Sequence, residues 1–419
     1  MPFRSALSGI NVAGNDLKVI GHNVANASTT GFKGSRAEFV DVYANAAEGA
    51  SANSIGSGVR LAAVSQQFGQ GNIGFTDNKL DLAINGRGFF ILDDNGGRAY
   101  SRNGIFSVDR EGWVVNSSDQ KLVISETDEK GNLTGGVGPL RIDKSNISPR
   151  PTSVIEVGVN VDSGQDRPLS VPFDPDTPSS FNHSTSLTLY DSLGVEHLST
   201  IYFVKGEAPN SWEVYTTVDG KDVKGGLQPP YVPDMIQFDG AGRLEAINGL
   251  PIPPGKINYP DYITDTGAAP MKMALDLIGA TPTTQYGGKF DVNALTQDGY
   301  TTGRVISVDV DETGYITTRY SNGQSRQLGM VSLADFANPQ GLRQLGDTAW
   351  SESFASGVPL VGNPGSGTVG LIQPGSLEDS NVDLTGELVK MIIAQRNFQA
   401  SAQIVRTADT VTQTVINIR

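Results

Sequence analysis

Residues 80–124 read LDLAINGRGFFILDDNGGRAYSRNGIFSVDREGWVVNSSDQKLVI. Short apolar runs are split by Asn-Gly, Asp-Asn-Gly-Gly and Asp-Arg-Glu-Gly. These clusters supply the positive-φ positions that hairpin turns need. The stretch is therefore read as short paired strands. The same signals continue outward to about Tyr320, with DEKG at 128–131, FDGAG at 238–242 and DETG at 311–314. Turns at a spacing of roughly 8–12 residues predict sandwich or barrel domains. A short element near Met271–Ile278 is the one place in this region where a helix is expected. SPRP at 148–151 marks a boundary, and the chain returns around Gly287–Gly288. The simplest arrangement is nested, with a domain at 152–288 inserted in a second β-domain made from 79–151 and 289–357.

The two ends read differently. Phe3, Leu7, Ile10, Gly14, Leu17, Gly21 and Val24 fall at alternating spacings of four and three. That is one face of a helix, which Ala6, Ala13, Ile20 and Ala27 widen. From Glu387 to Ile418 there is no Gly and no Pro, enough for a helix about 48 Å long. Ser380 and Asp383 are candidate N-caps, and Glu378, Asp379, Asp383 and Glu387 suit a helix start. Leu384, Leu388, Met391, Ile392, Phe398, Val405, Val411 and Val415 trace its apolar stripe. Two readings follow. The helices pack on a globular domain, or they form together an elongated coiled-coil-like module that needs a partner surface, since such helices are marginal alone. The fold class is mainly β with terminal α-helices: nested β-barrel or sandwich domains plus a helical module from both ends. Residues 1–78 and 358–419 each combine a terminal helix with a linker, the linkers being centred on 32–78 and 356–375.

Composition excludes much chemistry. The 419 residues include 50 Gly, 22 Pro, 3 His and no Cys, with a net charge of −14. Without Cys there is no disulfide, thiolate metal site or Cys nucleophile. The pI near 4.7 argues against nucleic-acid binding. No apolar run approaches the roughly 18 residues of a membrane helix, so no membrane insertion is expected. The N-terminus lacks the apolar core and cleavage site of a secretory signal peptide.

Motifs that resemble chemistry are weak. Gly365–Gly370 matches G-x-G-x-x-G but has Pro364 before it and no helix after it, so it reads as a linker. Asp309, Asp311 and Gly314 resemble the start of an EF-hand loop, but Tyr320 stands where a bidentate Glu is required. His22 sits beside Asn23 on the N-terminal helix, and His183 and His197 lie in strand-rich stretches without Asp or Glu at ligand spacing, since Glu196 beside His197 would point to the opposite face of a strand. No catalytic, cofactor-binding or metal-ligating residue is assigned, and the chain is read as a non-enzyme. An extracellular glycan-binding or glycan-cleaving β-domain is the alternative from another class. It would draw on Trp113, Trp212 and Trp350, or on carboxylates that meet only in three dimensions.

Ser5–Lys33, SALSGINVAGNDLKVIGHNVANASTTGFK, resembles the N-terminal signature of bacterial flagellar axial proteins, the rod and hook family. Ala25, Asn26, Thr30, Gly31, Phe32 and Lys33 carry its most specific part. DLAINGRGFFIL (81–92) and YSRNGIFSVDREGWVVN (100–116) resemble the shared β-core. LYDSLGVEH (189–197), DGYTTGRVISVDVDETGYI (298–316) and LADFANPQGL (333–342) resemble the hook branch, and GSLEDSNVDLTGELVKMIIAQRNFQASAQIVRTAD the C-terminal helix of the family. A distal rod subunit is the alternative within it.

The resemblance implies a structural subunit of a hollow, bendable tube that couples a rotating rod to a filament. The terminal helices would form its inner layer, with a middle and an outer β-domain outside. Phe3, Leu7, Ile10, Leu17, Val24, Leu384, Leu388, Met391, Ile392, Phe398, Val405, Val411 and Val415 would then be assembly residues. The implied partners are many identical subunits, the rod protein, the hook–filament junction protein, the hook cap and the flagellar export apparatus. The implied location is the flagellar hook outside the cell, reached without a cleaved signal peptide.

Overall fold

The computed structural model describes residues 2–42, 56–128, 131–224, 231–252 and 255–417. Ile418 and most of residues 226–233, a segment rich in Pro, Gln and Gly that reads as an exposed loop, lie outside them, as does the side chain of Val415. The chain divides into two compact units. The first comprises Met1–Lys144, Ile306–Arg319 and Ser325–Arg419; the second comprises Ser145–Val305 and Tyr320–Gln324.

The first unit is built on a 13-stranded sheet. Its central strand is Phe89–Asp94, paired with Gly97–Ser101, Lys121–Thr127 and Leu333–Asp335. Side chains alternate across a strand. Phe90 and Leu92 accordingly join a cluster with Leu82, Ile84, Phe106 and Leu122. Phe89 and Ile91 join another with Tyr100, Phe336 and Trp350. The unbroken run FFIL is what a strand buried on both faces requires. Each such side chain stabilises the fold by about 1.5–3 kcal/mol relative to exposure. The turn after this strand has Asn95 at φ 52° and Gly96 at φ 93°, the paired positive φ of a type I′ hairpin.

The stretches read as linkers carry strands. Ser35–Asp41 pairs antiparallel with Val59–Gln66, with a bulge at Glu38/Phe39. The hairpin packs on the N-terminal helix. Its ladder satisfies backbone groups that a polar, Ala-rich sequence otherwise leaves to water. Leu360–Gly362 pairs with Leu333–Asp335, and Leu371–Pro374 with Leu82–Asn85. Gly365–Gly370 is the loop between those strands, closed by the Gly365 amide donating to the Gly370 carbonyl at 2.9 Å.

The second unit is a sandwich. One sheet runs Lys256–Asn258, Ala274–Asp276, Val154–Asn160, Asp291–Gln297. The other, of seven strands, centres on Glu196–Lys205 and Ser211–Val218. Ile155, Val157, Val159 and Leu275 from the first share one core with Ile201, Phe203, Trp212 and Val214 from the second. Phe173, Val204 and Tyr215 form a smaller cluster that draws on the alternate positions of the same strands. The helix expected near Met271–Ile278 is absent. Met271, Met273, Leu275 and Leu277 are all buried, which is the period of two of a strand, and Ala274–Asp276 pairs parallel to Val154–Asn160.

Two α-helices complete the first unit: α1, Pro2–Ala25, and α2, Leu384–Asn417. They pack on each other, so mainly β with terminal helices is the observed class. Among the described residues, no helix is long and apolar enough to cross a membrane.

Candidate functional site

Apart from Ile20, the apolar side chains that the helix pair buries are small, and many of its large ones are exposed. Ala6, Ala13 and Ile20, seven residues apart, are the buried apolar positions of α1, and Ala394 is that of α2. The helices approach so closely at Gly9 that a Cβ placed there would lie 2.7 Å from Ser401 Oγ. Of the residues to which the resemblance gives an assembly role, Phe3, Leu7, Leu384, Leu388, Ile392, Phe398 and Val411 are exposed. Ile10, Leu17, Val24, Met391 and Val405 are half-buried. Phe3, Ala400, Ile404, Ala408 and Val411 line an open groove along the pair. Asp383 caps α2 by accepting from the Thr385 amide at 3.1 Å, whereas Ser380 bonds only the Val382 amide before the helix begins.

A polar junction ties the pair together. Asn23, buried on α1, exchanges two hydrogen bonds with the Ser35 backbone and donates to Glu387 Oε2 of α2 at 3.2 Å. Glu387 also pairs with Lys390 at 2.7 Å. Asp16 of α1 has its carboxyl pushed up, first by burial and then by the charge of Glu387, with Lys390 opposing.

The motif after α1 is a turn that feeds a buried charge cluster. Ala25 is exposed and Thr30 half-buried. Asn26 caps the helix end by donating to the His22 carbonyl at 2.9 Å and accepts from Thr29 Oγ1. Phe32 packs edge-on to His22. Gly31 sits at φ 70°, and a Cβ there would be 2.5 Å from the Asn103 nitrogen, so only glycine fits. Its amide donates to the Glu378 carbonyl at 2.7 Å. Lys33, 1% exposed, bonds Glu378 Oε1 at 2.6 Å and the Gly69 carbonyl at 2.8 Å. The Gly71 amide donates to the same oxygen. Arg102 bonds Glu378 Oε2 at 3.0 Å and the Gly86 carbonyl at 2.7 Å. Burial pulls both cations below their ordinary pKa, and the Glu378 charge works against that. Asn381 accepts from the Gly34 amide and donates to the Gln67 and Gly69 carbonyls.

Sequence reasoning missed most of this. The acidic run assigns Glu378 to a helix start, but the residue lies in the strand Ser376–Glu378, which pairs with Ile73–Phe75. Arg102, Asn23 and Asn381 carried no signal, because nothing in the sequence shows which polar residues lose water.

His197 does have carboxylate partners, contrary to its sequence neighbourhood. Its Nδ1 lies 2.6 Å from Asp219 Oδ2 and its Nε2 3.3 Å from Asp191 Oδ2. Asp191 is also committed to the Leu193 and Val195 amides and to Thr266 Oγ1, so the arrangement holds a turn. Among the described residues no group of three or more His, Asp and Glu could hold a metal ion.

Comparison with known proteins follows the chain from end to end. The model described as "Flagella basal body rod protein" matches residues 3–33, and "Flagellar hook protein FlgE/F/G D1 domain" matches 83–159. "Flagellar basal body protein FlaE D2 domain" matches 160–300, and "Flagellar basal body rod FlgEFG protein C-terminal" matches 373–418. Flagellar hook protein FlgE of Escherichia coli K12 is 36% identical over 424 residues, covering 100% of both chains. That of Treponema pallidum is 28% identical over 479 residues, again covering 100% of both. The crystal structure of Helicobacter pylori flagellar hook protein FlgE2 has a likeness of fold, with a TM-score of 0.52 at 13% identity over 73% of this chain and 99% of that one. The relatives matched over their whole length are hook proteins, so a hook subunit is favoured over a distal rod subunit, and the chain belongs to the flagellar hook protein FlgE family.

Proposed function

We propose that this hook subunit builds a hollow, bendable tube that transmits torque from rod to filament, and that its paired terminal helices are the inner packing surface. The observation that carries this is the apolar surface of the pair. Leu384, Leu388, Val389, Ile392, Ile393, Ile404 and Val411 are each between 45% and 57% exposed. A row of large apolar side chains on one element marks an interaction surface. Identical helices of neighbouring subunits supply a matching apolar partner, and helices packed along the tube axis resist twist.

The domain reading that goes with this is an inner module from 1–78 and 358–419, a middle β-domain from 79–151 and 289–357, and an outer β-domain at 152–288. Outer domains that slide as the tube turns need weak, polar contacts rather than a large apolar interface. The rod protein below, the hook–filament junction protein above, the hook cap and the export apparatus are the further partners. The subunit is exported to the outside of the cell, where the hook lies.

The test is a chain lacking 384–419. It should keep the thermal transition of the second unit and form no tubes under the electron microscope. Normal tubes from that chain would refute the role given to the helices.

A further inference from the structure

The second unit carries a small cavity on the outer face of its seven-stranded sheet. Its floor is the buried cluster of Phe173, Val204 and Tyr215. Ser170, Glu213 and Tyr231 also line it, and its volume is about 100 Å³. Leu169 and Val171, in the loop that walls it, are 97% and 66% exposed. An apolar cavity of about 150 Å³ holds a benzene ring, so this one admits an aliphatic side chain and no aromatic one.

The same unit offers such a side chain elsewhere. Leu244–Ile247 and Leu250–Pro251 form a hairpin, with Asn248 at φ 51° and Gly249 at φ 76° in its type I′ turn. Leu250 is 67% exposed at this tip. It cannot reach the cavity of its own molecule. Glu213 faces Met235 on the next strand, and the ladder continues from Ile236 to Ile247 and from Ile247 to Leu250. Those three strand spacings amount to about 14 Å.

Charge selects Leu250 over Ile263, which is equally exposed. Asp261 and Asp265 flank Ile263. The surroundings of the cavity are acidic: Glu213 lines it, and burial, then the charges of Asp174, Asp176 and Asp222, push the Tyr231 phenol up. Ile263 would bring like charges together. Residues 246–255 contain no charged side chain, so the hairpin tip brings none.

We propose that Leu250 of one subunit seats in the cavity behind Arg167–Phe173 of a second copy, and that this contact sets a preferred spacing between neighbouring outer β-domains. The inference rests on the assembly reading and deepens it. Knob and cavity are different patches of one unit, so each subunit gives one contact and receives another. That head-to-tail arrangement builds an open helical array. One aliphatic side chain in a small cavity is a weak contact, which breaks and re-forms as outer domains slide.

The chain has no Cys, so an introduced thiol is the only one present. Leu250→Cys, Ser170→Cys and Ile263→Cys are each assembled into tubes with an equal amount of unsubstituted chain. Labelling by a water-soluble maleimide should slow on the order of tenfold or more between free chain and tube at positions 250 and 170, and stay the same at 263. Oxidised tubes that mix Leu250→Cys, Ser170→Cys and unsubstituted chain should yield cross-linked dimers on a denaturing gel. Tubes with Ile263→Cys in place of Leu250→Cys should yield none. The proposal is overturned if either position 250 or 170 labels alike in tube and free chain, if both are protected yet do not cross-link, or if position 263 cross-links as well. All these chains keep both ends intact, so a failed role for the helix pair leaves the readouts standing.

Discussion

Replacing Gly9 tests the packing of the helix pair quantitatively. An Ala Cβ at position 9 would lie 2.7 Å from Ser401 Oγ and 3.5 Å from Ser401 Cβ. The first distance is shorter than van der Waals contact allows, and the second is ordinary contact. Two effects then compete. Ala in place of Gly in a helix interior contributes about 0.8–1.0 kcal/mol. Moving the Ser401 hydroxyl away costs about 0.5–1.5 kcal/mol if it leaves its rotamer well. Gly9→Ala alone should therefore be close to neutral. In a Ser401→Ala background the obstacle is absent, and Gly9→Ala should stabilise the pair by about 1 kcal/mol. Gly9→Leu should separate the helices in either background and expose Ala6 and Ala13. The assay is the thermal melt of the helical circular-dichroism signal of the full chain, with the dissociation temperature of assembled tubes as a second readout. If Gly9→Ala has the same effect with and without the Ser401 hydroxyl, the helices do not approach at this point and the packing argument fails.

Three further outcomes are expected. Asp16 has a raised carboxyl, so its charge opposes helix pairing, and pairing strengthens as pH falls through that folded value; Asp16→Asn should assemble faster near neutral pH and show a flatter pH dependence, read by light scattering. Burial pulls the His197 pKa down, but the bonds to Asp219 and Asp191 outweigh this and leave it raised. Its stabilising contribution is thus complete below about pH 6.5 and lost as pH rises through the folded value, so His197→Asn should lower the melting temperature of the second unit more at about pH 5.5 than at about pH 9. Each subunit carries −14, so polymerisation should accelerate with salt and as pH is lowered toward 4.7; rates indifferent to both would reject a role for charge repulsion.

The fold was legible where the chain repeats a period. FFIL between turn signals reads as a buried strand, and the absence of Gly and Pro after Glu387 reads as a long helix. Met271, Met273, Leu275 and Leu277 alternate as a strand does, but in so short a run the same apolar residues also suit a turn or two of helix, and only the pairing with Val154–Asn160 decides between them. The strands at 35–41 and 59–66 were hidden for a different reason: their pairing and their packing on α1 depend on partners distant in sequence. The site was half legible. Apolar spacing identified the helical stripes, but not that the small residues Gly9, Ala6 and Ala13 would face inward with Ile20 and leave Leu7, Leu388 and Ile392 outside. The charge cluster had no local signature at all, since Lys33 and Glu378 are ordinary polar residues until tertiary structure removes their water.

Lys33 and Glu378 are separated by 345 positions. A ribosome adding about 5–20 residues per second makes the lysine about 17–70 s before the carboxylate that neutralises it. Throughout that interval the first helix has neither its anchor nor its companion, because both are encoded later in the message. The order of synthesis therefore acts as a clock: the helix pair is the last part of the first unit that can be completed.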